Sequence, residues 1–133
     1  MKALDTNVLV RFLVKDDEHQ SKIVYKLFKQ AEVDKFDYCV SLLVVLETMW
    51  VLDSVYDIPR TKILDSVNEI LLMPILKFEA QPTIQHFIFL ARENKIDLSD
   101  VLIGCAAKIY GCERVLTFDK KASKFDLFEL IET

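Results

Sequence analysis

The sequence predicts an α/β fold, a three-layer α/β/α sandwich around a central parallel sheet of about five strands. Three observations carry that prediction. Short apolar runs alternate with amphipathic stretches along all 133 residues, the pattern of strand–helix–strand units. Hydrophobic residues make up 52% of the chain and the mean hydropathy is +0.22, which suits a sheet buried on both faces. Only two glycines and three prolines occur, so there is no flexible linker, and residues 1–133 read as a single domain long enough for a real core.

Each element follows in order. Lys2 to Asp5 reads as a short strand. Asn7 to Val14 is a helix with Val8, Leu9, Phe12 and Leu13 on one side. Asp16-Asp17 breaks the pattern and starts a second helix, Glu18 to Val33, whose apolar positions are Ile23, Val24, Leu27, Phe28 and Ala31. Asp37 to Ser41 is the second strand. Ser41 then caps a strongly apolar helix through Leu52. Arg60 to Met73 is amphipathic, with Ile63, Val67, Ile70 and Leu71 on one face, and Pro74 ends it. Ile75 to Phe78 is the third strand. Thr83 to Asn94 and Leu98 to Tyr110 are helical, the latter stopping at Gly111, a natural residue for the position after a helix. Arg114 to Phe118 and Leu127 to Ile131 are the fourth and fifth strands.

Composition excludes several classes. No apolar run reaches the length of a membrane span and the N-terminus lacks a signal-peptide pattern, so a cytoplasmic protein is expected. Cys39, Cys105 and Cys112 are odd in number and contain no C-x-x-C pair, which favours reduced structural thiols over a thiolate zinc site. His19 and His86 have no metal-type partner nearby in sequence. The net charge of −4 and a pI of about 5.2 argue against a broad basic footprint for nucleic acid. A small cluster of Lys and Arg beside an acidic site remains compatible with that balance. The high apolar content also suits a self-association or partner surface.

Four carboxylates lie inside, or just past, segments that otherwise want burial, where an unpaired acid costs free energy. Asp5 ends the first strand. It is equally a helix cap and, with Thr6 and Asn7, part of an oxygen-rich strand end that suits a hard cation. Glu47 has Leu43, Val44, Trp50 and Val51 three and four positions away, which places it on a buried stripe. Its bland reading is a salt bridge to a buried Lys or Arg. Asp100 opens an apolar helix and is helped there by the helix dipole, with Ser99 or Asp97 as the cap. Gly104 and Ala107 give that helix a small-residue face that can approach a strand closely, and Asp97 lies one turn before. Asp119 follows Val115 to Phe118, as a turn residue or as a strand-end ligand. Lys120, Lys121 and Lys124 follow it, as a solvated loop or as a seat for substrate phosphates.

In open α/β sheets ligands bind at the carboxyl ends of strands, and Asp5 and Asp119 both lie there. Four acids in one crevice would raise one another's pKa values, and a divalent cation removes that conflict. All-oxygen ligation selects Mg²⁺ or Mn²⁺ over zinc or copper.

Asp5-Thr6-Asn7, Glu47 on an apolar helix, Asp97-Leu98-Ser99-Asp100 and Leu116-Thr117-Phe118-Asp119 together resemble the PIN domain, and within it the VapC-like toxin ribonucleases. The resemblance runs over essentially the whole chain, in the correct order. It implies Mg²⁺- or Mn²⁺-dependent cleavage of RNA, an antitoxin protein that inhibits the nuclease, and a homodimer. It makes Asp5, Glu47, Asp100 and Asp119 the acidic quartet that holds metal, with Asp97 nearby and Asn7 and Thr117 in support. Arg11, Lys15, Lys120, Lys121 and Lys124 are candidates for contacting the RNA backbone. Three other readings stand beside it. A receiver-like phosphotransfer domain wants an acidic pair where the first strand here ends in Asp5-Thr6-Asn7, and a haloacid-dehalogenase-type phosphatase wants a second Asp where Asn7 stands. A binding module with structural acids and no activity would show no stabilisation by Mg²⁺ or Mn²⁺.

Overall fold

The computed structural model describes residues 1–132. The element order is β1 (Lys2–Ala3), α1 (Thr6–Val14), α2 (Glu18–Asp34), β2 (Tyr38–Val40), α3 (Leu42–Ser54), α4 (Arg60–Leu71), β3 (Leu76–Phe78), α5 (Gln81–Glu93), α6 (Leu98–Ile109), β4 (Val115–Thr117), a 3₁₀ turn (Ala122–Lys124) and β5 (Phe128–Leu130). The α/β class and the parallel pairing expected from the sequence are both present. The five strands are shorter than expected and their ladders form two groups, β1-β2-β3 and β4-β5, in place of one continuous sheet. Strands of two or three residues offer few ladder bonds, so helix packing carries most of the organisation. The chain divides into two compact units, Met1 to Gln81 and a second from Pro82 onward.

In the first unit β2 lies between β1 and β3, in register Lys2↔Tyr38 and Tyr38↔Leu76. Parallel neighbours need long crossovers, and the helix pairs α1–α2 and α3–α4 supply them. Backbone bonds from Leu4 N to Cys39 O (3.0 Å) and from Glu79 N to Val40 O (2.9 Å) carry the pairing past the strand ends. Leu9, Val10, Val40, Val45, Leu52, Ile63, Leu64 and Val67 are fully buried in this unit. An aromatic file, Phe12–Phe28–Tyr38–Phe36, has successive centroids 5.0, 6.2 and 5.1 Å apart. Asp17 caps α2 by accepting from Gln20 N (3.0 Å). Ser41 caps α3, as expected, by accepting from Val44 N (3.2 Å), and Glu79 Oε1 accepts from Leu42 N (2.7 Å) at the same end.

In the second unit α5 buries Ile84, Phe87, Ile88 and Ala91, a face repeating at helical spacing. The β4–β5 ladder is in register Val115↔Phe128 and Thr117↔Leu130. Gly104 of α6 meets β5 closely. A Cβ at that position would lie 2.8 Å from Leu127 Cδ1 and 2.9 Å from Leu127 Cβ. The helix ends with Gly111 at φ +80°, a conformation that glycine adopts without penalty.

Candidate active site

The second unit brings three of the expected acids to one end. Helix α6 is followed by a short turn and then β4, so the start of the helix and the end of the strand share a pole of the unit. Asp97 caps α6, its Oδ1 accepting from Ser99 N (3.3 Å) and Ser99 Oγ (3.2 Å). Asp100 follows in the first turn and is half-buried. Partial burial pushes its carboxyl above the ordinary range, and the negative charges of Asp97 and Asp119 push it the same way. Asp119 lies just past β4. Its Oδ1 accepts from Lys121 N (2.9 Å) and Ala122 N (3.3 Å), and its own amide donates to Thr117 Oγ1 (3.0 Å). Both bland readings of these residues are therefore present: Asp97 is a cap and Asp119 is a turn residue. Neither accounts for Asp100, which is pressed by two carboxylates with no cationic side chain among the causes of its shift.

The opposite pole of this unit is chemically different. Lys108, Glu113, Arg114, Asp126 and Glu129 line an open hollow of about 650 Å³. Its cations are engaged locally: Arg114 pairs with Glu129 at 3.8 Å and Lys108 Nζ donates to the backbone carbonyl of Glu113 at 3.0 Å.

In the first unit Asp5 is exposed and caps α1, with Oδ1 accepting from Thr6 N (2.8 Å). Asn7 is exposed in the first turn of the same helix. Glu47 corrects the sequence reading: it is exposed and does not lie on the buried stripe. That stripe is Val45, Thr48, Met49 and Leu52, while Leu43 and Trp50, flanking Glu47, are 77% and 62% exposed. The cause is composition. Helix α3 is apolar nearly all round, so apolar neighbours at three and four positions surround any residue in it and cannot select a face. Among the described residues no three Asp, Glu, His or Cys side chains form a group ready to hold a metal ion.

The family model of the PIN domain matches residues 2–127. The chain belongs to the PIN domain family. Its fold class is therefore the α/β/α sandwich expected from the sequence. No curated protein sequence matches it. Among solved structures it is similar to VapC20 of Mycobacterium tuberculosis, a toxin that cleaves the sarcin-ricin loop. The identity is 17% and the TM-score 0.42, over 97% of this chain and 98% of that one.

The basic candidates of this PIN domain divide. Arg11 is taken up inside the first unit: Nε donates to Gln20 Oε1 (2.6 Å), and Nη1 to Tyr56 OH (3.2 Å) and Asp16 Oδ1 (3.4 Å). Tyr56 OH in turn donates to Asp16 (2.8 Å). The hydrogen bond that Arg11 donates to Tyr56, with the nearby acids, raises the Arg11 pKa above its ordinary value, so the guanidinium serves as a clamp. Lys15 is the left-handed residue that ends α1, at φ 62°. Lys120, Lys121 and Lys124 are exposed on the turn that Asp119 caps. Two features escaped the sequence reading. Thr6 and Thr48 carry buried hydroxyls with no hydrogen-bond partner among the described residues, and each adjoins a candidate acid. Phe118, between Thr117 and Asp119, is 69% exposed. An aromatic next to a lysine run was the available signal for it.

Proposed function

We propose that this PIN domain is a Mg²⁺- or Mn²⁺-dependent endoribonuclease that hydrolyses RNA phosphodiester bonds in the cytoplasm. In this reading it is the toxin half of a toxin–antitoxin pair, acts as a homodimer over a single domain, and is inhibited by its antitoxin protein. Family membership supports the nuclease class. The observation that carries the metal is Asp100, a half-buried carboxyl raised by burial and by its neighbours Asp97 and Asp119. Acids that share one pole repel one another, and a divalent cation bound among them would relieve that repulsion.

The donor chemistry, all carboxylate oxygen, suits a hard cation, while among the described residues no three acids stand assembled as a ready site, so binding would draw them together. Asp97, Asp100 and Asp119 offer carboxylate oxygens, and Thr117 and Ser99 steady them through hydrogen bonds. Asp5, Glu47 and Asn7 join the proposal through the motif they share with the family. A bound divalent cation supplies Lewis acidity, easing deprotonation of a water and screening charge on the phosphodiester. The protein's own contribution is positional. The Asp119 amide is held by Thr117, and the Asp97 side chain by Ser99, so two acids enter the reaction already oriented. Asp100, with no hydrogen-bond or ion-pair partner among the described residues, is the acid left to bind a cation.

The test is cleavage of RNA with and without Mg²⁺ or Mn²⁺. Asp5→Asn and Asp100→Asn should each abolish metal-dependent cleavage while circular dichroism stays native. Cleavage by both variants at the parent rate would sink the assignment.

A further inference from the structure

The turn after β4 has a charge that nothing in its unit uses. Lys120, Lys121 and Lys124 are exposed, and among the described residues none of the three has an ion-pair partner. Their usual fate would be a loose solvated loop. This turn is not loose. Asp119 Oδ1 holds the amides of Lys121 and Ala122, and Asp119 O accepts from Ser123 N (3.0 Å). Ser123 Oγ donates to Lys120 O (2.7 Å), Phe125 N to Ala122 O (3.0 Å), and Ala122 is buried beneath. The three ammonium groups are thus carried on an ordered backbone. Immediately before them Phe118 turns a large apolar ring to solvent, which costs free energy with no return inside the unit.

An exposed aromatic beside unpaired lysines has the chemistry of a single-stranded nucleic-acid platform: a base stacks on the ring and the backbone phosphates meet the cations. We infer that Phe118, Lys120, Lys121 and Lys124 form a seat for single-stranded RNA, with Asp119 as its positioning residue. The seat rests on the nuclease reading for its purpose, though not for its geometry. One Asp119 oxygen orders the lysine turn and leaves the other for the acid site, so a single side chain sets both. A duplex suits this seat poorly, because its bases are already stacked and cannot cover Phe118. The local patch also accounts for an acidic chain handling a polyanion: the cations sit beside the acids that act, not across the whole surface.

The experiment is fluorescence anisotropy of a labelled single-stranded oligoribonucleotide, and of its duplex, with the full chain in EDTA over a salt series. The parent should prefer the single strand. Phe118→Ala should weaken that binding about tenfold and erase the preference. Lys121→Ala with Lys124→Ala should weaken binding and lower the salt slope by about 0.7 per lysine. Asp119→Asn keeps an acceptor for the turn amides and should retain affinity in EDTA, whereas Asp119→Ala should lose it. Equal binding of duplex and single strand, unchanged slopes, or capture of an acidic peptide in place of RNA by these residues would overturn the seat. The two proposals fail separately. RNA bound through these residues but never cut with Mg²⁺ or Mn²⁺ removes the nuclease and leaves the seat. Metal-dependent cleavage with binding indifferent to all four residues removes the seat and leaves the nuclease.

Discussion

Helices α3 and α6 are both strongly apolar and each carries one candidate acid, yet the two are oriented by different means. Helix α6 contains Gly104, whose missing side chain makes room for Leu127, so one face is committed to β5. Asp100, one turn earlier, is committed with it and ends half-buried near Asp97 and Asp119. Helix α3 has no such small residue. Its N-terminus is held twice, by Ser41 and Glu79, but its rotation about its own axis is left to packing. Packing buries Val45, Thr48, Met49 and Leu52 and turns Glu47 outward between Leu43 and Trp50. A small residue in an apolar helix is thus better evidence of a face than a surplus of large ones.

The sharpest way to break this comparison is to weigh the two faces of α3. Leu52→Ala should cost about 3 kcal/mol in urea denaturation, because a fully buried leucine leaves a cavity. Leu43→Ala should change stability by less than about 0.5 kcal/mol. Equal costs would show that the helix is rotated from its assigned face, and would return Glu47 to the interior.

A smaller effect tests the α6 side. Alanine is the better helix former by about 1 kcal/mol, so Gly104→Ala at an open site would stabilise. Here the added carbon would stand 2.9 Å from Leu127 Cβ, which cannot swing away as the tip of a side chain can. A net loss of about 1–2 kcal/mol is expected. A gain would mean that β5 does not lie against Gly104.

The smallest expected effect concerns Asp100, and its sign is informative. Its carboxyl holds a proton more tightly in the folded protein than at the ordinary value of 3.8. The corresponding stability is present below that value and is lost as pH rises through the raised folded pKa. At neutral pH without divalent cations, Asp100→Asn should therefore stabilise slightly, by less than Leu52→Ala or Gly104→Ala costs, because solvent screens a half-exposed group. The proposed metal site predicts that Mg²⁺ raises the Tm of the parent and not that of this variant. Destabilisation in the metal-free protein would mean that Asp100 has a stabilising partner.

Much of the candidate site was legible from residue order, because the relevant contacts are local. Asp97 and Asp119 each accept from amides two or three residues on, and Thr117 accepts from Asp119 two residues on. Such bonds need only the identity and spacing of neighbours. The Ser41 cap and the Gly111 stop are of the same kind. Arg11 was not legible: Tyr56 is 45 residues away in sequence, and no periodicity links the two. The cap that Glu79 gives α3 spans 37 residues and was equally hidden.

For this chain, sequence alone determined the alternation of strands and helices, the helix ends, the parallel pairing and the motif of the PIN family. The first two and the motif depend on local backbone preference, and the parallel pairing follows from the helical crossovers that separate the strands. Tertiary structure alone decided which side of α3 is dry, how the short strands divide into ladders, and that Arg11 is a clamp. It also decided that the lysine turn is ordered by Asp119 and that Phe118 faces water. Those outcomes depend on which surfaces meet, and in a chain that is 52% hydrophobic many surfaces are apolar enough to be the buried one.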